Sequence, residues 1–162
     1  MAEGVVDLGY SEALRVIGAQ AGVLDNLRGR AGTLLAAASL VTSFLGGTAL
    51  VRPSLATTGQ VTQAPIEFWG WIAIAAFCLI GVVALLVMWP YVWRFDMDPT
   101  RFVVDAEDAG IGASELKRDL TTYHWANHGR NAVKLDWLFW AFRVGCIALV
   151  LETVSWLIEL RQ

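Results

Sequence analysis

Phe68 to Trp89 reads FWGWIAIAAFCLIGVVALLVMW, twenty-two residues without a charge. As a helix it would reach roughly 33 Å, against about 30 Å of hydrocarbon in a bilayer. Trp69 and Trp71 mark one end; Trp89, Tyr91 and Trp93 mark the other, with Arg94 just beyond. Rings with one polar edge settle at headgroup level, so the stretch reads as a spanning helix with an aromatic belt at each interface. A buried helix of a soluble protein rarely runs this long uncharged.

The rest of the chain agrees. It is 56% hydrophobic with eight Trp, so most of its 162 residues are expected to see lipid rather than a water-excluded core. The net charge of −3 offers no basic surface for nucleic acid. Cys78 and Cys146 both fall in apolar stretches, at a spacing that suits neither a disulfide framework nor a zinc ribbon. Residues 1–10 carry Glu3 and Asp7 and have no apolar h-region, so no cleavable signal peptide is expected.

Those first ten residues read as loose. Ser11 is a good N-cap, and Glu12 follows in the first turn, where the helix dipole favours a negative charge. Tyr10, Leu14, Ile17, Ala21 and Leu24 then recur at alternating spacings of four and three, a narrow apolar seam. Packing within one subunit and an intermolecular coiled coil both satisfy it. Asp25 is placed to pair with Arg28 one turn on. Arg28 and Arg30 stand where the polar helix turns apolar, a position favoured on the cytoplasmic side and within reach of anionic headgroups. Gly29 and Gly32 allow a bend there without requiring one.

Ala31 to Val51 is the first span, and it is rich in small residues. Ala38, Thr42 and Gly46 share one face, with Ser39, Ser43 and Gly47 beside them. Small side chains at every fourth position let helix backbones approach closely. The packed helix can belong to the same subunit or to another. Arg52 to Glu67 reads as a short polar loop, with Arg52-Pro53 ending one helix and Pro65 preceding the next.

After the second span, Asp96, Asp98, Asp105, Glu107 and Asp108 make the chain acidic, and Gly110 and Gly112 close that segment. Asp96-x-Asp98 lacks the glycine and distal glutamate of a calcium-binding loop, so no metal is expected there. Ser114 reads as the N-cap of a second polar helix. Its seam begins with Leu116, Leu120 and Tyr123 and turns polar at Asn127, Arg130 and Lys134. His124 and His128 are one turn apart, a spacing that can clasp a metal. With no third ligand nearby in sequence, they read as an ordinary polar face.

Trp137 to Leu160 is the third span and contains Arg143 and Glu152. Such residues are costly in lipid and face protein or a wet cavity. The nine residues between them turn the helix by about 900°, so the two point to opposite faces. Arg143 is near enough to the cytoplasmic end to snorkel. Glu152 lies about two turns from the other end. It is expected in a water-filled path, beside the Arg143 of a neighbouring subunit at an axial offset of roughly 13 Å, or protonated against hydroxyls such as Thr42 or Ser43.

Lys and Arg counts orient the spans. Three precede the first span, one lies in the 52–67 loop, six in residues 91–136 and one, Arg161, after the last. Basic excess marks the cytoplasmic side, so the N-terminus is expected inside and the C-terminus outside. The expected fold is all-α: one membrane domain with transmembrane helices at 31–51, 68–89 and 137–160, and cytoplasmic helices at 11–30 and 114–136. Those two arms, about 30 and 35 Å long, match well enough to pack as a stalk.

No phosphate-cradling glycine loop follows a strand, and there is no nucleophile elbow or zinc-protease histidine set. No catalytic residue, metal or cofactor is therefore expected, and the chain does not read as an enzyme. The stretch QAGVLDNLRGRAGTLLAAASL resembles the start of the transmembrane Pycsar effectors of bacterial antiphage defence, with Asp25, Arg28, Arg30, Ala31, Leu34 and Leu35 as the best-matching positions. LTTYHWANHGRNAVKLDWLFWAF is similar to the family's second half, where a polar helix with a Lys leads into the last span. Together the two stretches make up 44 of the 162 residues. The resemblance implies an inner-membrane effector that oligomerises and permeabilises the bilayer. Its trigger would be a cyclic pyrimidine nucleotide made by a partner cyclase. Two other readings stand beside it: a passive anchor or scaffold whose arms bind another protein, and a small constitutive ion channel.

Overall fold

The computed structural model describes residues 2–50, 53–55, 61–63, 66–93, 104 and 110–161. Helix α1 runs Ala2–Val41 and passes into a π turn, Thr42–Gly46, and a short helix α2, Gly47–Leu50. Strands β1, Pro53–Leu55, and β2, Val61–Gln63, pair antiparallel with Pro53 opposite Gln63. Helix α3 is Phe68–Met88 and helix α4 is Ala113–Arg161. Apart from the short ribbon and the residues at 66–67, 89–93 and 110–112, the described residues are helical. Three stretches, Gly4–Ala49, Phe68–Met88 and Ala113–Arg161, are long and apolar enough to cross a membrane, the mark of a multi-pass membrane protein.

Several expected boundaries move. Ser11 caps nothing: it lies inside α1, where its hydroxyl donates to the Leu8 carbonyl at 2.9 Å. Residues 2–10 are helical because α4 gives that end tertiary contacts. The Lys117 ammonium reaches the Asp7 carboxylate at 2.5 Å, and a Cβ on Gly9 would meet Thr121 at an ordinary 3.9 Å. At the start of α4, the Leu116 amide donates to the Gly112 carbonyl at 3.0 Å, which puts Ser114 within the first turn. Gly110 precedes it at φ +67°, a left-handed position that favours glycine. The loop between the first two spans holds a ribbon, with Pro53 at the first residue of an edge strand, where its lack of an amide hydrogen is tolerated. Arg52, Pro65, Arg94, Arg101 and the acidic Asp96, Asp98, Asp105, Glu107 and Asp108 lie outside the described residues.

The chain forms two compact units. One comprises Met1–Asn26 with Pro90–Trp137, the other Leu27–Trp89 with Leu138–Gln162. The second unit is apolar inside and out. Leu34, Ala38, Ile80 and Ala148 form its buried cluster, with Leu35, Phe77, Phe142, Cys146 and Leu149 packed against it. Helix α3 turns Gly70, Ala73, Ala76, Ile80, Val83, Ala84 and Val87 inward at spacings of three and four, most of them small. Close approach between helices is tight at Gly145, whose added Cβ would lie 2.9 Å from Leu34 Cδ2 and 3.1 Å from Val83 Cγ1. Leu40, Phe44, Val82, Leu85, Ile147 and Val150 point outward, a surface suited to hydrocarbon rather than water.

The start of α3 is held from a distance. Its first amides have no partner within the helix, and Glu67 at the N-cap makes no side-chain cap bond. Glu159 of α4 supplies both acceptors: Oε1 takes the Glu67 amide at 2.8 Å and Oε2 takes the Gly70 amide at 2.9 Å. The carboxylate also sits at the positive end of the helix dipole. Glu159→Ala is expected to destabilise the unit by about 1–2 kcal/mol, the size of a lost N-cap. Faster hydrogen exchange at the amides of 67–70, with a lower melting temperature in detergent, would register it. Unchanged exchange there would mean that water caps the helix as well as Glu159 does.

Candidate functional site

Two features stand out, one in each unit. In the unit of Met1–Asn26 and Pro90–Trp137, the buried residues of α1 are Ala13, Ile17, Gln20 and Leu24, and those of α4 are His124, Asn127, Asn131 and Leu135. The expected seam was therefore right in period and wrong in register. Ile17 and Leu24 turn inward, but Leu14 stays 44% exposed and Tyr123 40% exposed. Arg130 and Lys134 face outward. One residue of register is about 100° of helix, enough to exchange Ala21 for Gln20 at the contact.

The result is a polar interior. Gln20 Nε2 donates to the His128 carbonyl at 3.1 Å. Gln20 Oε1, His124 Nδ1, Asn127 Nδ2 and Asn131 Nδ2 are buried without a hydrogen-bond partner. Each such atom costs about 1–3 kcal/mol relative to a satisfied one. His124 does not belong to an ordinary polar face, since it is only 6% exposed, beside Tyr10. His128 stacks on Trp125 with ring centroids 5.3 Å apart. Among the described residues no group of three His, Cys, Asp or Glu could hold a metal ion. Burial pushes the His124 imidazole below its ordinary value. The unfolded chain then takes up a proton first as pH falls, so this contribution to stability is intact above about 6.5 and declines below it. Lys134 donates to the Val92 carbonyl at 2.9 Å and lies 5.7 Å from the centre of the Trp93 ring. Of the juxtamembrane residues singled out in the sequence, Asp25 and Arg30 are exposed and Arg28 is half-buried.

In the apolar unit the site is built on Glu152, whose side chain is fully buried. The small-residue face of α1 and the π turn explains how α4 comes so close. Ala38 is 0% exposed and Gly46 is buried, while Ser39 and Gly47 are half-buried and Ser43 is exposed. A Cβ on Gly46 would lie 2.9 Å from Trp156 Cζ2, so this face meets α4 of its own chain. Thr42, between Ala38 and Gly46, donates its hydroxyl to Glu152 Oε1 at 2.5 Å. Trp156 Nε1 in turn donates to the Thr42 oxygen at 3.4 Å. Arg143 lies on an exposed face of α4, and the structure does not bring it to Glu152. Of the environments open to the acid, the one observed within a single subunit is Thr42.

One side of the acid is left without a donor. Glu152 Oε2 and the hydroxyl of Ser155 are both buried and make no hydrogen bond. Ser155, Trp156, Glu159 and the π turn escaped the sequence analysis. The signal for two of them was present, because Ser155 and Trp156 stand three and four residues after Glu152 and so share its face. Gly46→Leu is expected to cost the single subunit about 3 kcal/mol through overpacking against Trp156. The measurement is the melting temperature at protein concentrations spanning tenfold. A concentration-independent drop identifies contact within a subunit, whereas a drop that grows on dilution would place the face between subunits. No protein-family model, characterised protein or solved structure matches the chain.

Proposed function

We propose that this chain is a bacterial inner-membrane effector, with its N-terminus in the cytoplasm, whose subunits assemble and permeabilise the bilayer when a signal reaches the two polar helical extensions. The observation that carries this reading is the polar interior formed by Gln20, His124, Asn127 and Asn131. A helix pair that only anchored or spaced a partner would be more stable with an apolar seam. Unmatched donors and acceptors make this pairing weak, and a weak pairing is easily exchanged for another. The basic residues flanking the apolar spans favour the cytoplasm for the same extensions. In the defence setting that the resemblance brings, the signal is a cyclic pyrimidine nucleotide and its source a partner cyclase.

Dye release from liposomes holding the full-length protein tests the reading. Release is expected to rise at least tenfold when cyclic pyrimidine nucleotides are added, with a rise in subunit number by native mass measurement. A protein that stays monomeric and releases no dye with any of them is an anchor, not an effector. The same preparation expressed in cells tests topology. Thr58→Cys should react with a membrane-impermeant thiol reagent from outside, and Asp105→Cys should not. Reaction at Asp105→Cys in intact cells would overturn the orientation.

A further inference from the structure

We infer that Glu152, Ser155 and Thr42 form a binding site for a small monovalent cation of the sodium class, enclosed within the apolar unit. Three observations lead there. Glu152 and Ser155 are both 0% exposed, and Glu152 Oε2 and Ser155 Oγ have no hydrogen-bond partner. A lone carboxylate held this way in an apolar interior needs either a proton or a compensating cation, because the single neutral donor on Oε1 does not offset the loss of water. Arg143, the basic residue of the third span, is on an exposed face.

The second observation is what Ser155 does not do. Hydroxyls inside helices ordinarily turn back to a carbonyl one turn earlier. Thr33, Ser39, Thr121, Thr122 and Thr153 all do so here. Ser155 makes no such bond although it is fully buried. It lies one turn from Glu152 on the same face, so the two unpartnered oxygens belong to one neighbourhood.

The third is the π turn that begins at Thr42. Bonds from i to i+5 leave a main-chain carbonyl outside the α-helical ladder, and such turns recur at functional sites. The donor set is thus a carboxylate and two hydroxyls. All are hard oxygen donors, which suit alkali and alkaline-earth ions rather than transition metals. One carboxylate supplies one negative charge. A monovalent ion therefore leaves the buried site neutral, whereas a divalent ion would leave it with a net positive charge.

Sodium binding does not depend on the proposed membrane permeabilisation, and the two are read by separate assays. The experiment is equilibrium binding of radioactive sodium to the full-length protein in detergent at pH 8, with choline chloride holding the ionic strength. Saturable binding near one ion per chain is expected, displaced by lithium and by a fall in pH. It should vanish in Glu152→Gln and weaken about tenfold in Ser155→Ala, the scale of one lost ligand. No saturable binding by the wild type would overturn the inference, and so would binding that survives in Glu152→Gln. If Glu152→Gln does not fold, Ser155→Ala and Thr42→Val decide. Unchanged affinity in both would place the ion elsewhere.

Discussion

Gly145→Val is expected to destabilise the apolar unit by about 3 kcal/mol or more, at the upper end for overpacking a closed core. The added Cβ would stand 2.9 Å from Leu34 Cδ2 and 3.1 Å from Val83 Cγ1, side chains only 7% and 4% exposed. Leu34 is on α1 and Val83 on α3, so the new atoms push against two helices at once. Neither neighbour is the free end of a long flexible chain. Relief therefore requires the helices to part, and a gap of even half an ångström forfeits a sizeable share of the dispersion energy along the contact. Gly145→Ala should cost less, and Gly129→Val should serve as a control, because nothing lies within 4 Å of the Cβ that Gly129 would gain. Thermal unfolding in detergent measures all three. Equal losses for Gly145→Val and Gly129→Val would show that glycine matters at 145 for its backbone and not for the space it leaves.

The double substitution Asn127→Leu with Asn131→Leu is expected to act in the opposite direction. Both amides are buried with Nδ2 unpartnered, and Leu has the same branching and number of side-chain heavy atoms as Asn, though it is bulkier. Replacing two unsatisfied polar groups by apolar ones should stabilise the helix pair by about 2–4 kcal/mol. The same change should abolish signal-evoked dye release if exchange of this pairing transmits the signal, since the resting arrangement would then be favoured roughly 30- to 1,000-fold more strongly. Stabilisation with release intact would separate the seam from the trigger. No stabilisation would mean that the two amides are satisfied by water.

Most of the architecture was legible because lipid imposes a coarse rule. Uncharged runs such as Phe68–Trp89 have few other uses, and α3 falls at Phe68–Met88. Glu152 was legible for the same reason, since a charge in a span stands out. The inward set of the extensions was harder. Tyr10, Leu14, Ile17, Ala21 and Leu24 make a good heptad on hydrophobicity, but the observed set of Ala13, Ile17, Gln20 and Leu24 has the same period and includes a polar residue. Hydrophobicity alone assigns Gln20, His124, Asn127 and Asn131 to water. What turns them inward is packing between helices more than a hundred residues apart in sequence, as in the bond from Gln20 to His128. Glu159 was invisible likewise: a cap supplied from another helix leaves no local trace.

The π turn at Thr42–Gly46 also stores an angle. Relative to a regular helix it accommodates about one extra residue, worth roughly 100° of rotation. Were that turn to regularise, Gly47–Leu50 would swivel about the axis by that amount. Gly46 would leave the Trp156 ring. The setting of this dial is thus held where α4 packs against the turn, by Trp156 at Gly46 and by Glu152 at Thr42.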